Sequence, residues 1–392
     1  MLHLLPLPGN RIAFCMLLAL AVAALVARAL APVAKRIGLA DLPGGRKRHA
    51  GAIPLTGGIG MFAGFFVAVM ASGLIAGHTI ALLVALFLLV CGGAADDMRD
   101  ISHQSKFLIQ LTAALLMTSW AGVQVQQLGN LFGFGPLNLY QWAIPFSVVC
   151  ALGVINAINM VDGLDGTAGG VSIVATLALA YGALAQGLAS QALLLLLLGA
   201  AITGFLVWNM RFPGVRSQAR VFMGDSGSMM LGLAFCWFSI DLTQGEGRTL
   251  PPIVCMWILA VPLLDMARVM FVRMRKRISM FEADREHLHH LLLERGVPVY
   301  ATSWILMGIA ALAAAVGLGA WRAGVPDWVM SYAFIVLFGV VLVTAHFRES
   351  MIAREAAAEA LPADWMPHER ILRARERRER REHDTHDNID PP

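Results

Sequence analysis

Asn156-Ala-Ile-Asn159-Met-Val-Asp162-Gly163-Leu-Asp165-Gly166-Thr-Ala-Gly-Gly170 lies between two long apolar runs and sets four amide or carboxylate side chains at intervals of three residues. On a helix, that spacing keeps Asn156, Asn159 and Asp162 on neighbouring positions of one face. Gly163 and Gly166 then permit the tight or left-handed conformations that stop a helix and let backbone amides come close to a ligand. An ordinary loop between two membrane helices is also rich in Gly, Asn and Asp. This stretch differs in having no Lys, Arg or Ser between Asn156 and Gly166. Its polar groups are oxygen donors, which suit a divalent cation or a sugar phosphate better than plain solvation.

The flanking runs settle the class. The chain has 392 residues, of which 58% are hydrophobic and 14% charged, with a mean hydropathy of +0.67. Apolar segments of about 20 residues with few charges match the length needed to cross a bilayer as a helix. The reading is therefore an all-α, polytopic integral membrane protein with about eleven spans, near residues 12–33, 57–76, 79–95, 107–122, 140–158, 168–187, 190–208, 227–241, 252–272, 302–320 and 328–346. The first run is too long for a signal-peptide core and stays as an anchor. Cys15, Cys91, Cys150, Cys236 and Cys255 all fall in apolar segments without paired spacing, so they read as small hydrophobes.

Lys and Arg give the orientation. Alternate loops hold seventeen of them, whereas the opposite set holds only Arg11, Arg248 and Arg322. The rich side is expected to be cytoplasmic, with the N-terminus outside and the C-terminus inside. Residues 1–347 form the expected transmembrane domain. Residues 348–392, with nine Arg against eleven Asp or Glu and an Arg-rich run at 370–381, form a charged tail, part solvated helix and part disordered, to which no chemistry is assigned.

Every polar constellation falls on the expected cytoplasmic edge. The first loop carries Asp41, Arg46-Lys47-Arg48-His49 and Pro54, a pattern that serves as a topology signal, a headgroup contact or a phosphate site. Asp96-Asp97-Met-Arg-Asp100 closes the third span; if the helix continues, Asp96 and Asp100 share a face. Three carboxylates in five residues at a helix C-terminus require a counterion. Lys106 opens the fourth span, and taken alone reads as a snorkelling anchor. Gly224-Asp225-Ser226-Gly227 precedes the eighth span and could be no more than a cap. Asp265 and Arg268 sit inside the ninth span at a spacing where they can neutralise each other. Asp284-Arg-Glu-His287-Leu288-His289-His290 follows, in a spacing that does not match helical or finger zinc sites, and imidazoles donating to phosphate oxygens fit better.

Gathered at one edge, Asp96, Asp97, Asp100, Asp162, Asp165 and Asp225 would repel by about 4 kcal/mol per pair at 4 Å and an effective dielectric of 20. A divalent cation is the expected remedy, and oxygen ligands beside phosphate-binding groups indicate Mg²⁺ or Mn²⁺. Carboxylates, a metal, basic side chains and histidines are the equipment for moving a phosphoryl group. A membrane-edge site implies one lipid phosphate substrate and one soluble nucleotide derivative. A secondary transporter would instead hold its ionisable residues near the bilayer midplane.

From Asp41 to His290 the chain resembles the polyprenyl-phosphate N-acetylhexosamine-1-phosphate transferases, the glycosyltransferase 4 group that also contains the muramoyl-pentapeptide transferase of peptidoglycan synthesis. The matching residues are Arg46-Lys47 with His49 and Pro54, Asp96-Asp97, Lys106, Asn156 to Gly166, Met223 to Gly227 and His287-Leu288-His289-His290, in the family's order. The interrupted histidine run and the eleven spans look like the undecaprenyl-phosphate N-acetylglucosamine-1-phosphate transferase branch.

This resemblance implies transfer of N-acetylglucosamine 1-phosphate from UDP-N-acetylglucosamine to undecaprenyl phosphate, releasing UMP, with Mg²⁺ as cofactor. The implied setting is a bacterial inner membrane at the first lipid-linked step of a cell-surface polysaccharide such as O-antigen. No nucleic-acid partner is implied, and a homodimer is left open. By position, Asp225 would be the metal ligand, with Asp96, Asp97 and Asp162 catalytic. Lys106, Asn156, Asn159, Asp165, Arg46, His49, His287, His289 and His290 would bind substrate. The family's ninth helix is bent beside the lipid groove, and Pro262 is where the bend is expected.

Overall fold

The computed structural model describes residues 6–42, 51–212, 214, 218–277 and 287–359. Helices stand at all eleven expected positions. In chain order they are α1 (Gly9–Ala29), the short α2 (Ala31–Ile37), α3 (Gly57–Ser72), α4 (Gly77–Arg99), α5 (His103–Leu115), α6 (Ala143–Val161), α7 (Thr167–Ala185), α8 (Ala189–Asn209), α9 (Gly224–Asp241), α10 (Pro252–Ile258), α11 (Ala260–Lys276), the short α12 (Leu288–Glu294), α13 (Val299–Arg322) and α14 (Asp327–Glu359). Among the described residues seven helices are long and apolar enough to cross a membrane, or eight if α10 and α11 form one span. Shorter α3 and α5 and the Gly/Ser-containing α9 lie between these by packing rather than by their own length and hydropathy.

The strands are minimal. Ala40–Asp41 (β1) pairs antiparallel with Ile53–Pro54 (β2). The Phe222 amide donates to the Pro54 carbonyl at 2.9 Å, and the amides of Gly57 and Gly58 donate to Phe222 and Met223. The first loop is thereby strapped to the segment that leads into α9.

Helix α9 is the axis of the bundle. Nearly every residue from Gly224 to Ile240 is buried, including Trp237, Phe235 and Phe238, and α3, α4, α6 and α7 pack around it. A helix apolar on all sides belongs in the core. Close approach depends on small residues, as is usual where helices meet in a membrane. A Cβ on Gly93 of α4 would collide with the Ser226 backbone, and this absence brings the end of α4 against the start of α9.

The ninth expected span is bent by 78°. The break is at Leu259, three residues before the expected Pro262. Proline lacks the amide that would bond four residues back and its ring clashes with that carbonyl, so the helix fails just ahead of it. Pro262 itself sits in the first turn of α11, where no amide partner is needed. Helix α14 runs through residues 347 and 348 without interruption to Glu359; the Arg-rich run at 370–381 lies outside the described residues.

Candidate active site

Three chain segments deliver carboxylates to one end of the bundle. Helix α4 ends at Arg99, with Asp100 as its left-handed cap (φ 49°, ψ 67°). Asp100 therefore leaves the face that Asp96 occupies and is exposed, which corrects the expectation of a shared face. Asp96 accepts from the Ile101 amide at 3.0 Å through Oδ1, and its Oδ2 meets Lys106 Nζ at 2.9 Å. The same ammonium contacts Asp225 Oδ2. Lys106, read from sequence as an anchor or phosphate ligand, bridges the two carboxylates and is a counterion for both.

Asp225 lies in the first turn of α9 and does not cap it. Asp97 does so from α4: its Oδ1 accepts the Asp225 amide at 2.9 Å and its Oδ2 the Ser226 amide at 3.4 Å. A carboxylate placed on the orphan amides of a helix start is favoured by hydrogen bonding and by the helix dipole. With its cap supplied from outside, the Asp225 side chain is free to face the site. Asn159 Nδ2 donates to Asp225 Oδ1 at 2.7 Å and to Ser228 Oγ at 2.9 Å.

Asn156 points one turn deeper, where Nδ2 donates to Gln110 Oε1 at 3.1 Å and to the Leu152 carbonyl at 2.7 Å. Gln110, buried in α5, also reaches Met229 of α9. Sequence reasoning missed Gln110, although its place four residues after Lys106 puts both on one face of α5. The two residues tie α5 to α6 and α9 at successive levels.

Asp162 caps α6 just beyond its last helical residue. Burial first, then the charges of Asp225, Asp97 and Asp165, push its carboxyl up to about 8. Asp165 is buried, and its Oδ2 is taken by Arg211 Nε at 2.6 Å and the Ala219 amide at 2.9 Å. Its backbone carbonyl accepts from Ser303 of α13. This residue pins the 162–166 turn to its neighbours, while Gly166 (φ 80°) begins α7 and gives its amide to Asn209 Oδ1 at 2.7 Å.

The histidines dock against the same turn. A Cβ on Gly163 would collide with His289 Nε2, so only glycine lets the ring in. His289 is 2% exposed and its Nε2 has no hydrogen-bond partner among the described residues. Burial, with His290 and His287 beside it, lowers it to about 3, so the ring is neutral. His287 lies parallel to His289, and His290 stands 4.3 Å from it between ring centres. Asp265 binds His287 and the Leu288 amide, in place of the expected pairing with Arg268. Arg46 and His49, along with Asp284 to Glu286, lie outside the described residues.

Two carboxylates, Asp96 and Asp225, thus converge on the Lys106 ammonium, with the Asn159 amide also donating to Asp225. Among the described residues no set of three acidic, His or Cys side chains is arranged to hold a metal. That arrangement fits Mg²⁺, which is usually held by one or two carboxylates and completed by water and substrate phosphates.

The sequence profile of glycosyl transferase family 4 matches residues 79–243, the span that contains Asp96, Asp97, Lys106, Asn159, Asp162 and Asp225. The undecaprenyl-phosphate alpha-N-acetylglucosaminyl 1-phosphate transferase of Yersinia pestis is 36% identical over 307 residues, covering 78% of this chain and 84% of its own length. That of Escherichia coli (strain K12) is also 36% identical over 307 residues, covering 83% of its length. The Haemophilus influenzae protein of the same name is 33% identical, with 86% of its length covered.

Proposed function

The chain belongs to glycosyl transferase family 4, and from that premise we propose that it transfers N-acetylglucosamine 1-phosphate from UDP-N-acetylglucosamine to undecaprenyl phosphate, releasing UMP. The observation that carries this reading is the convergence of Asp96, Lys106, Asp225 and Asn159 at one end of a multi-pass helical bundle. A lipid phosphate lies at such an edge, and a nucleotide sugar reaches it from water. The Lys and Arg distribution supports a cytoplasmic site, with the N-terminus outside, in a bacterial inner membrane. Its product would serve as the lipid-linked start of a cell-surface polysaccharide. Residues 348–392 serve as a charged tail without a catalytic part.

The chemistry forms a bond from a lipid phosphate oxygen to the β-phosphorus of the donor, and breaks the bond from that phosphorus to the oxygen that leaves with UMP. Mg²⁺, held by Asp225 with Asp96 beside it, would neutralise charge on the diphosphate. Asp96 would orient the acceptor phosphate, and Lys106, standing between Asp96 and Asp225, is the cation placed to meet phosphate oxygens. Asn159 fixes the rotamer of Asp225. Asp97 has both oxygens committed to the start of α9 and so is a poor nucleophile. Direct attack by the lipid phosphate, which needs only alignment, fits this arrangement. Asp165 shapes the binding turn through its staple to Arg211, and His287, His289 and His290 border the donor.

The purified protein given UDP-N-acetylglucosamine and undecaprenyl phosphate should release UMP in step with lipid diphosphate. No UMP with this donor, or strong turnover of the N-acetylmuramoyl-pentapeptide donor, would overturn the assignment. A sugar phosphate trapped covalently on Asp96 or Asp97 in the absence of lipid would refute direct attack.

A further inference from the structure

We propose that Asp265 is a positioning residue for this reaction, acting through the imidazole of His287. The inference rests on the reading of the histidine cluster as part of the donor site. Asp265 lies in the second turn of α11 and is 2% exposed. Its Oδ2 is 2.9 Å from His287 Nδ1, and its Oδ1 accepts the Leu288 amide at 2.8 Å. One side chain thus performs two tasks for a helix to which it does not belong. It satisfies an orphan amide at the start of α12, where the His287 side chain supplies no cap. It also binds one ring nitrogen of the first histidine in the cluster.

A carboxylate on Nδ1 selects the tautomer protonated there and leaves Nε2 as the nitrogen able to act elsewhere. It also fixes the ring plane. The effect passes along the cluster, because His287 lies parallel to His289 at 5.3 Å between centres, with only 6° between their planes. His289 in turn is wedged against Gly163, next to Asp162. Asp265 is therefore the buried joint that ties the bent α11 to the histidines and, through them, to the turn 162–166. Carboxylates behind metal-ligating histidines commonly change affinity or activity 10- to 100-fold when removed, and an effect of the same order is expected for a carboxylate that orients a phosphate-binding imidazole.

The two tasks separate under Asp265→Asn. Asparagine accepts from a helix-start amide nearly as well as aspartate, so α12 stays capped, whereas the amide favours the other His287 tautomer by donating to Nδ1. The variant should keep its Tm and lose about 10- to 100-fold in kcat/KM for UDP-N-acetylglucosamine, with the KM for the lipid acceptor unchanged. In a His287→Ala background, Asp265→Asn should cost nothing further. Wild-type kinetics in Asp265→Asn, or losses that multiply in the double variant, would overturn the proposal. ¹⁵N-histidine spectra supply a readout that needs no substrate, with the His287 signal identified by its disappearance in His287→Ala. That signal should report Nδ1 protonation in the wild type and move in Asp265→Asn, and an unmoved signal would refute the idea. A wild-type protein that does not turn over this donor would defeat the proposed substrate, while the spectra would still decide the role of Asp265.

Discussion

Replacing Lys106 by Met keeps an unbranched apolar stem and removes a charge that Asp96 and Asp225 share. Lys106 Nζ is 2.9 Å from Asp96 Oδ2 and also contacts Asp225 Oδ2. Two oxygens within hydrogen-bond reach of one nitrogen stand no more than about 5 to 6 Å apart. At an effective dielectric of 20 their repulsion is then about 3 kcal/mol. Removing one partner of a buried ion pair typically costs 3–5 kcal/mol; the three side chains are 11% to 26% exposed, which places the expected loss near about 3 kcal/mol or below. Thermal unfolding in detergent should show a lower Tm for Lys106→Met. Adding Asp225→Asn should restore part of it, because one of the two unbalanced charges is gone. Mg²⁺ should raise the Tm of Lys106→Met more than that of the wild type. A Lys106→Met protein with unchanged Tm and no added response to Mg²⁺ would show that these carboxylates do not depend on a shared cation, and the electrostatic account of the site would fail.

Asp225→Asn alone should lower turnover by roughly 10²-fold or more while helical content persists, since α9 is capped by Asp97; raised Mg²⁺ or added Mn²⁺ should recover part of the rate, and near-wild-type activity with unchanged metal dependence would remove Asp225 from the metal site. His289 is held neutral with its pKa lowered to about 3, so the stability it contributes is complete above the ordinary histidine value of about 6.5 and is lost as pH falls toward 3, by at most about 1.4 kcal/mol per pH unit. Tm measured from pH 7 to pH 5 should fall less steeply in His289→Gln, and an identical slope would contradict the assignment. Truncation after Glu359 should leave UMP release largely intact; a folded but inactive truncation would give the Arg-rich tail a part in turnover.

The sequence alone determined the class of this protein and the residue types of its site. Twenty-residue apolar runs have few folded solutions besides membrane helices, and the oxygen-donor turn from Asn156 to Gly166 stands out because polar groups at such an edge are costly unless used. The family was legible for the same reason: Asp96-Asp97, Lys106, Met223 to Gly227 and the histidine run are local motifs, readable without knowing what they touch. Partnership was not legible. That Asp97 caps α9 while Asp225 does not follows from the missing Cβ of Gly93, which lets two helices meet through residues 128 apart in sequence. Whether Lys106 is an anchor or a shared counterion, whether Asp265 serves Arg268 or His287, and whether Asp165 meets substrate or Arg211 are questions of reach between helices. Periodicity fixes which face of a helix a residue occupies, but only the packing of helices against one another decides what that face meets.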